Sequence, residues 1–249
     1  MNAFLSDEFF HLVGWRHPGD DAANMATLRA ILNDQCVKYP GCIPGQSQTS
    51  ITVWPNRRLS SGDMIVTTCT CYCDIPVENL AFHARKYGRF GLSFHRDFLI
   101  LAGARPVIYV PMRDDDKTTI RGTALLDDMQ AIYATFNSRF IEPMRARAGN
   151  YRKRTVTTQP ATKDDTLAAV HVLLGFRFLA YVKPYNSQLR PDHPHYYYSE
   201  REWRITNYLR FTPSDVEHVI VSTAEDGAAI VNEFPDYSAK IVILPAESD

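Results

Sequence analysis

The sequence predicts an α+β fold with mixed or antiparallel sheets, on three observations. Short β-branched and aromatic runs stand at 8–13, 51–54, 64–73, 90–94 and 106–110, and again beyond residue 196. Stripes of helical period lie among them. A helical stretch, 122–181, divides the early strands from the late ones, an order that suits segregated α and β elements. The chain is read as one α+β domain, 1–249, carrying a helical insertion at about 120–185.

EFFHLV (8–13) is apolar enough for a buried strand, and Pro18-Gly19 turns the loop after it. Met25, Leu28, Ile31 and Leu32 fall at i, i+3, i+6 and i+7, the stripe of an amphipathic helix that Asn24 or Asp21 could cap. Residues 39–50 are rich in Pro, Gly and Ser and form a loop before the short strand ITVW. MIVTTCTCYC (64–73) reads as one strand running into Asp74-Ile75-Pro76, where Asp74 can cap and Pro76 fits a first helical turn. Leu80, Phe82, His83 and Tyr87 make the next helix, with Gly88 just past its end. FGLSF is a strand, RDFLILAG (96–103) a short helix and PVIYV a strand. Leu125, Met129, Ile132, Tyr133, Phe136, Phe140 and Ile141 predict a long helix disturbed near Pro143, and 164–181 a second. The proline-rich 184–195 is a loop; YYYSEREWRITNYL alternates, and VEHVIVS and KIVIL are strands.

Composition narrows the function. The 249 residues carry 27 Lys and Arg against 28 Asp and Glu, a net charge of −1, so a wholly basic nucleic-acid coat is excluded while local patches are not. Hydrophobic residues make up 45%, which excludes a disordered chain. No apolar run approaches the roughly 18–20 residues of a membrane span. MNAFLSDEFFHL has neither a basic n-region nor an apolar h-region, so secretion is not expected. Five cysteines without a small-domain framework fit reduced thiols in a cytoplasmic protein. P-loop, GxGxxG, HExxH and GxSxG motifs are absent.

Four groups of residues could carry chemistry. His11, on a buried strand, could hold a ribose hydroxyl or bond to backbone. On a strand, Glu200, Glu202 and Arg204 share one face and Arg201 and Trp203 the other. That arrangement could stabilise an oxocarbenium-like centre or form a solvated ion-pair ladder. Cys69, Cys71 and Cys73 also share a face, but their spacing is not that of a zinc finger, and no metal is expected. Arg145, Arg147, Arg152, Lys153 and Arg154 could grip phosphates of a nucleic acid or complement a helix dipole.

Several pieces taken together carry a resemblance. FFHLVG with its TLRAIL helix, CYCDIP, HARKYGRFGLSFHRDFLILAGARPVIYV and YYYSEREWRI resemble the AbiGi-like abortive phage-resistance family. They cover roughly residues 9–111 and 196–206, and the 83–110 block is the most specific. The resemblance implies a bacterial anti-phage defence protein of antitoxin kind, with a cognate toxin or another defence protein as partner. More distantly, a strand-borne His, a Leu-x-x-Ile-Leu helix and a late strand bearing Glu look like the order in ADP-ribosyltransferase-type folds. That likeness implies NAD as substrate, His11 on the ribose, Tyr87 or Tyr72 stacked on nicotinamide, Glu202 as the catalytic carboxylate on the ribose 2′-hydroxyl and Glu200 as second carboxylate. The Leu12-Val13-Gly14 after His11 departs from the His-Gly pattern of those folds. An enzyme, a partner-binding antitoxin or sensor, and a nucleic-acid-binding regulator are therefore the three functional expectations.

Overall fold

A computed structural model describes residues 6–45, 51–53, 65–112, 178–190, 193, 196–206 and 208–244, with isolated positions between 128 and 143. The chain divides into two compact units. The first comprises 1–49, 68–107 and 197–249, the second 50–67 and 108–196. Most of the expected long helix, most of 164–181 and all five cations from Arg145 to Arg154 lie outside the described residues.

In chain order the elements are β1 (Glu8–Leu12), α1 (Asp21–Asp34), β2 (Cys36–Lys38), β3 (Ile51–Val53), β4 (Ile65–Thr67), β5 (Cys69–Cys73), α2 (Leu80–Tyr87), β6 (Gly91–His95), α3 (Arg96–Leu101), β7 (Arg105–Pro106) and β8 (Ile108–Met112). They continue with β9 (Val182–Asn186), β10 (Glu202–Thr206), β11 (Tyr208–Arg210), β12 (Val216–Val221), α4 (Ala224–Glu233) and β13 (Ile241–Ile243).

The first unit is built on a seven-stranded sheet of order β13-β12-β6-β1-β5-β10-β7, antiparallel except for the β12–β13 pair. Strand alternation gives it two apolar faces. On one, Phe9, Tyr72, Leu92, Phe94, Ile205, Val219 and Val221 pack against α1, α3 and α4 through Leu28, Leu32, Leu99 and Ile230. On the other, Phe10, Leu12 and Ile220 meet Leu80 and Ala84 of α2. β1 and β6 approach closely because Gly91 has no side chain: a Cβ there would stand 2.3 Å from the His11 carbonyl oxygen. β2 and β11 form a separate antiparallel pair. In the second unit β3 pairs with β4 antiparallel, and β8 with β9 parallel.

Local chemistry explains where the elements differ from expectation. α1 is capped by Asp20, whose carboxylate accepts from Ala23 N at 2.9 Å, rather than by Asp21 or Asn24. Residues 64–73 are two strands, because β4 pairs only with β3 whereas β5 lies between β1 and β10. Asp74 does not cap α2: its carboxylate accepts from Ser6 N, Arg96 and Arg201. PVIYV likewise divides, β7 pairing with β10 and β8 with β9. Pro184, placed in a loop by the sequence, sits in β9. The sequence reading omitted α4, although Thr223 and Asp226 form a reciprocal capping box visible as T-x-x-D.

Candidate functional site

The polar centre of the first unit lies where the end of α2 meets the entry to β10. Residues 197–200 form a 3-10 turn, and Arg201 then adopts φ 45°, a left-handed conformation that non-glycine residues reach only when their surroundings hold them there. The hold is Asp74, buried, whose carboxylate lies 3.1 Å from Arg201 Nη2 and 3.4 Å from Arg96 Nη2, and whose N–H donates to Arg201 O at 3.2 Å. The sharp turn carries Glu200 beneath α2 before Glu202 enters the sheet.

Glu200 is buried, and its Oε1 accepts from Lys86 Nζ at 2.6 Å and from the Tyr87 hydroxyl at 2.5 Å. The Lys86 ammonium also lies 3.9 Å from the centre of the Tyr197 ring, a cation–π contact. Glu202, buried too, accepts from Arg204 Nε at 2.6 Å. The two carboxylates are thus matched by two cations.

These contacts set the protonation states. Burial, followed by the charge of Glu200 and its hydrogen bond, raises the Tyr87 hydroxyl far above the ordinary phenol range, so it stays a donor. Burial and then Glu200 push the Cys73 thiol up to about 12. Burial opposes the charge on Arg204, but Glu202, joined by Cys71 and Cys69, more than offsets it and the guanidinium stays charged. At Cys71, the contact with Cys69 leads, then burial, then Glu202, in raising the thiol.

The predicted site residues therefore separate into two groups. Tyr87, Glu200 and Glu202 come together. Glu202 pairs in register with Cys73, which pairs with Phe10, so it shares the α2-facing side of the sheet. His11 pairs with Leu92 and lies on the opposite side. Its Nδ1 lies 2.8 Å from the Cys71 carbonyl, its ring packs 5.5 Å from Tyr72, and burial lowers its pKa. Tyr72 is a core residue, 1% exposed, set edge-on against Phe94, with its hydroxyl beside that of Thr70 at 3.2 Å. The predicted face shared by Glu202 and Arg204 matches the structure, while Glu200 reaches the same neighbourhood from a turn and not from a strand.

Sequence reasoning missed two features. Lys86 sits one residue before Tyr87 with nothing local to mark its partner, which lies in the 3-10 turn at Glu200. Glu8, Ser93 and His218 meet on the α2-facing side: Glu8 Oε2 accepts from Ser93 Oγ at 2.6 Å and lies 2.7 Å from His218 Nδ1. An irregularity in β12 between Val216 and Val219 brings His218 there. Ser93 is fully buried and donates to the carboxylate, so the trio acts as a structural bridge across β1, β6 and β12. Among the described residues, no helix is long and apolar enough to cross a membrane.

Comparison with known proteins gives two matches. A family model described as "Putative abortive phage resistance protein AbiGi, antitoxin" matches residues 62–233. That match runs through 112–195, which none of the resembling pieces covered, and takes in the turn bearing Glu200 and Glu202. The chain is also similar to the abortive phage resistance protein AbiGi of Lactococcus lactis subsp. cremoris, with 33% identity over 72 residues. That stretch covers 26% of this chain and 29% of the relative, so the chain spans less than a third of that protein's length. No solved structure matches.

Proposed function

Because the chain belongs to the AbiGi abortive phage-resistance family, we propose that it serves anti-phage defence as an antitoxin, restraining a cognate toxin by binding it. One observation carries the choice of binding over catalysis: the ionisable groups nominated for catalysis satisfy one another inside the fold. Glu200 is bonded to Lys86 and Tyr87, and Glu202 to Arg204. Each of these carboxylates already has a cation bonded to it, which leaves less of its charge to a cationic ribosyl centre. The test is co-expression with the product of each flanking gene. One of those products should arrest growth, the arrest should be relieved by this chain, and the two should co-elute in fixed stoichiometry. A chain that relieves no such arrest and binds neither product would overturn the proposal.

A second reading rests on the convergence of Tyr87, Glu200 and Glu202 under α2. It is a mono-ADP-ribosyltransferase of the architecture the resemblance implied, splitting NAD with Glu202 as the catalytic carboxylate and Glu200 beside it. His11 lies across the sheet, so NAD would be held without the ribose contact that the resemblance assigned to it. Incubation with labelled NAD separates the readings. Turnover that Glu202→Gln abolishes supports the enzyme; absence of turnover, or equal turnover by that variant, removes it. Nucleic-acid binding through Arg145, Arg147, Arg152, Lys153 and Arg154 is tested by the salt dependence of affinity, which steepens with each phosphate contacted.

A further inference from the structure

Two thiols stand side by side on β5 and take no part in the reading above. Cys69 and Cys71 are two residues apart on an extended strand, so both side chains leave the same face. Their Sγ atoms are 3.8 Å apart. Cys71 is exposed and Cys69 half-buried, so a small ion can reach the pair from solvent.

We propose that Cys69 and Cys71 form a binding site for a soft, two-coordinate monovalent cation of the copper(I) class, held between two thiolates. Geometry favours this over a disulfide. To form an S–S bond the sulfurs would close from 3.8 Å to about 2.05 Å. Residues i and i+2 of a strand hold their Cα atoms about 6.7 Å apart, at the outer limit of what disulfides span. Two metal–sulfur bonds of about 2.3 Å each, the length thiolate makes to zinc, span up to ~4.6 Å. The sulfurs need then only part by less than about 1 Å, which side-chain rotation supplies.

Ligand chemistry points the same way. Thiolates select soft ions over hard ones. Among the described residues, no group of three or more His, Cys, Asp or Glu side chains is placed to hold a metal, which disfavours the four-ligand arrangement zinc prefers. Arg204 is the register partner of Cys71, but the contact with Cys69, burial and Glu202 together hold the Cys71 thiol protonated until an ion displaces its proton. The ion brings its own positive charge, which offsets the cost of ionising two crowded thiols. The step balances as two thiols plus one monovalent cation giving one bis-thiolate complex of charge −1 and two protons released to solvent. Cys73, the next cysteine on this face, directs its thiol to the Phe10 carbonyl at 3.5 Å and serves as the control.

The test is an anaerobic titration of the full, reduced chain with copper(I), with bathocuproine disulfonate as competing chromophore. One equivalent should be withdrawn, and the apparent affinity should fall about 100-fold per pH unit on acidification, because two protons compete. Cys69→Ser and Cys71→Ser should each lose the tight equivalent, while Cys73→Ser and Cys36→Ser keep it. A wild-type chain that competes no better than the Cys69→Ser/Cys71→Ser double variant overturns the proposal, as does equal loss in Cys73→Ser. Should the serine variants fail to fold, iodoacetamide labelling of the wild-type chain decides. One equivalent of copper(I) should protect Cys71 but not Cys42; undiminished labelling of Cys71 overturns the site.

Discussion

Replacing Lys86 with Met removes an ammonium 2.6 Å from a buried carboxylate while keeping most of the apolar stem. Breaking a buried pair by deleting one partner costs about 3–5 kcal/mol, because the remaining charge is stranded. Two features reduce that figure here. The Lys86 side chain is 26% exposed, so water can approach the vacated position, and the Tyr87 hydroxyl still donates to Glu200. The expected loss is therefore about 2–3 kcal/mol. With a urea slope near 2 kcal/mol/M, the unfolding midpoint should drop by ~1–1.5 M. Unfolding followed through Trp203, which packs on the core of the first unit, reads this directly. Adding Glu200→Gln should restore at least half of the loss, since the neutral amide needs no counter-charge and can still accept from Tyr87. A Lys86→Met chain within about 0.5 kcal/mol of wild type, the range of ordinary surface substitutions, would refute the claim that this pair neutralises a buried charge.

Gly91→Ala should cost about 3 kcal/mol or more, because its Cβ would meet backbone of the neighbouring strand at 2.3 Å; soluble yield and circular dichroism would show it, and a wild-type melt would contradict it. Thr223→Ala removes the cap of α4, whose hydroxyl accepts from Asp226 N at 3.1 Å, and should lower stability by about 1 kcal/mol in urea unfolding. His11 has a folded pKa below the 6.5 of free imidazole. The unfolded chain therefore takes up a proton first as pH falls, and stability should decline from pH 6.5 down through the folded value while staying level above 6.5. His11→Gln should flatten that decline in urea midpoints taken at several pH values, and a wild-type imidazole titrating at or above 6.5 by NMR would overturn the assignment.

The legible parts of this fold are those whose information is local. Leu28 and Leu32 announced the buried stripe of α1, Gly88 the end of α2, and the alternation of Glu202, Trp203 and Arg204 the two faces of β10. What escaped depends on pairing between distant segments. β5 lies between β1 and β10, and no local pattern records that arrangement. The division of 64–73 at Thr68 escaped for the same reason, since both halves read as strand and no turn residue separates them; only their partners differ. The site was half legible. Tyr87, Glu200 and Glu202 are acidic or aromatic residues in plausible places, but whether His11 shared their face depended on the register of β1 against β5 and β6. Lys86 was invisible because the residue it neutralises enters the chain much later, through the left-handed turn at Arg201.

The order of strands also bears on synthesis. β1, β5 and β6 emerge early and can pair with one another, but β10 and β12, which flank that trio, are among the last segments made. A nascent chain stalled before residue 197 would display β5 and β6 as naked edges, with hydrogen-bonding groups open to any passing strand. Completion also waits on long-range closure, which is slow. Interrupted translation would thus yield a truncated product prone to aggregation and proteolysis, tying the supply of functional protein to an uninterrupted ribosome.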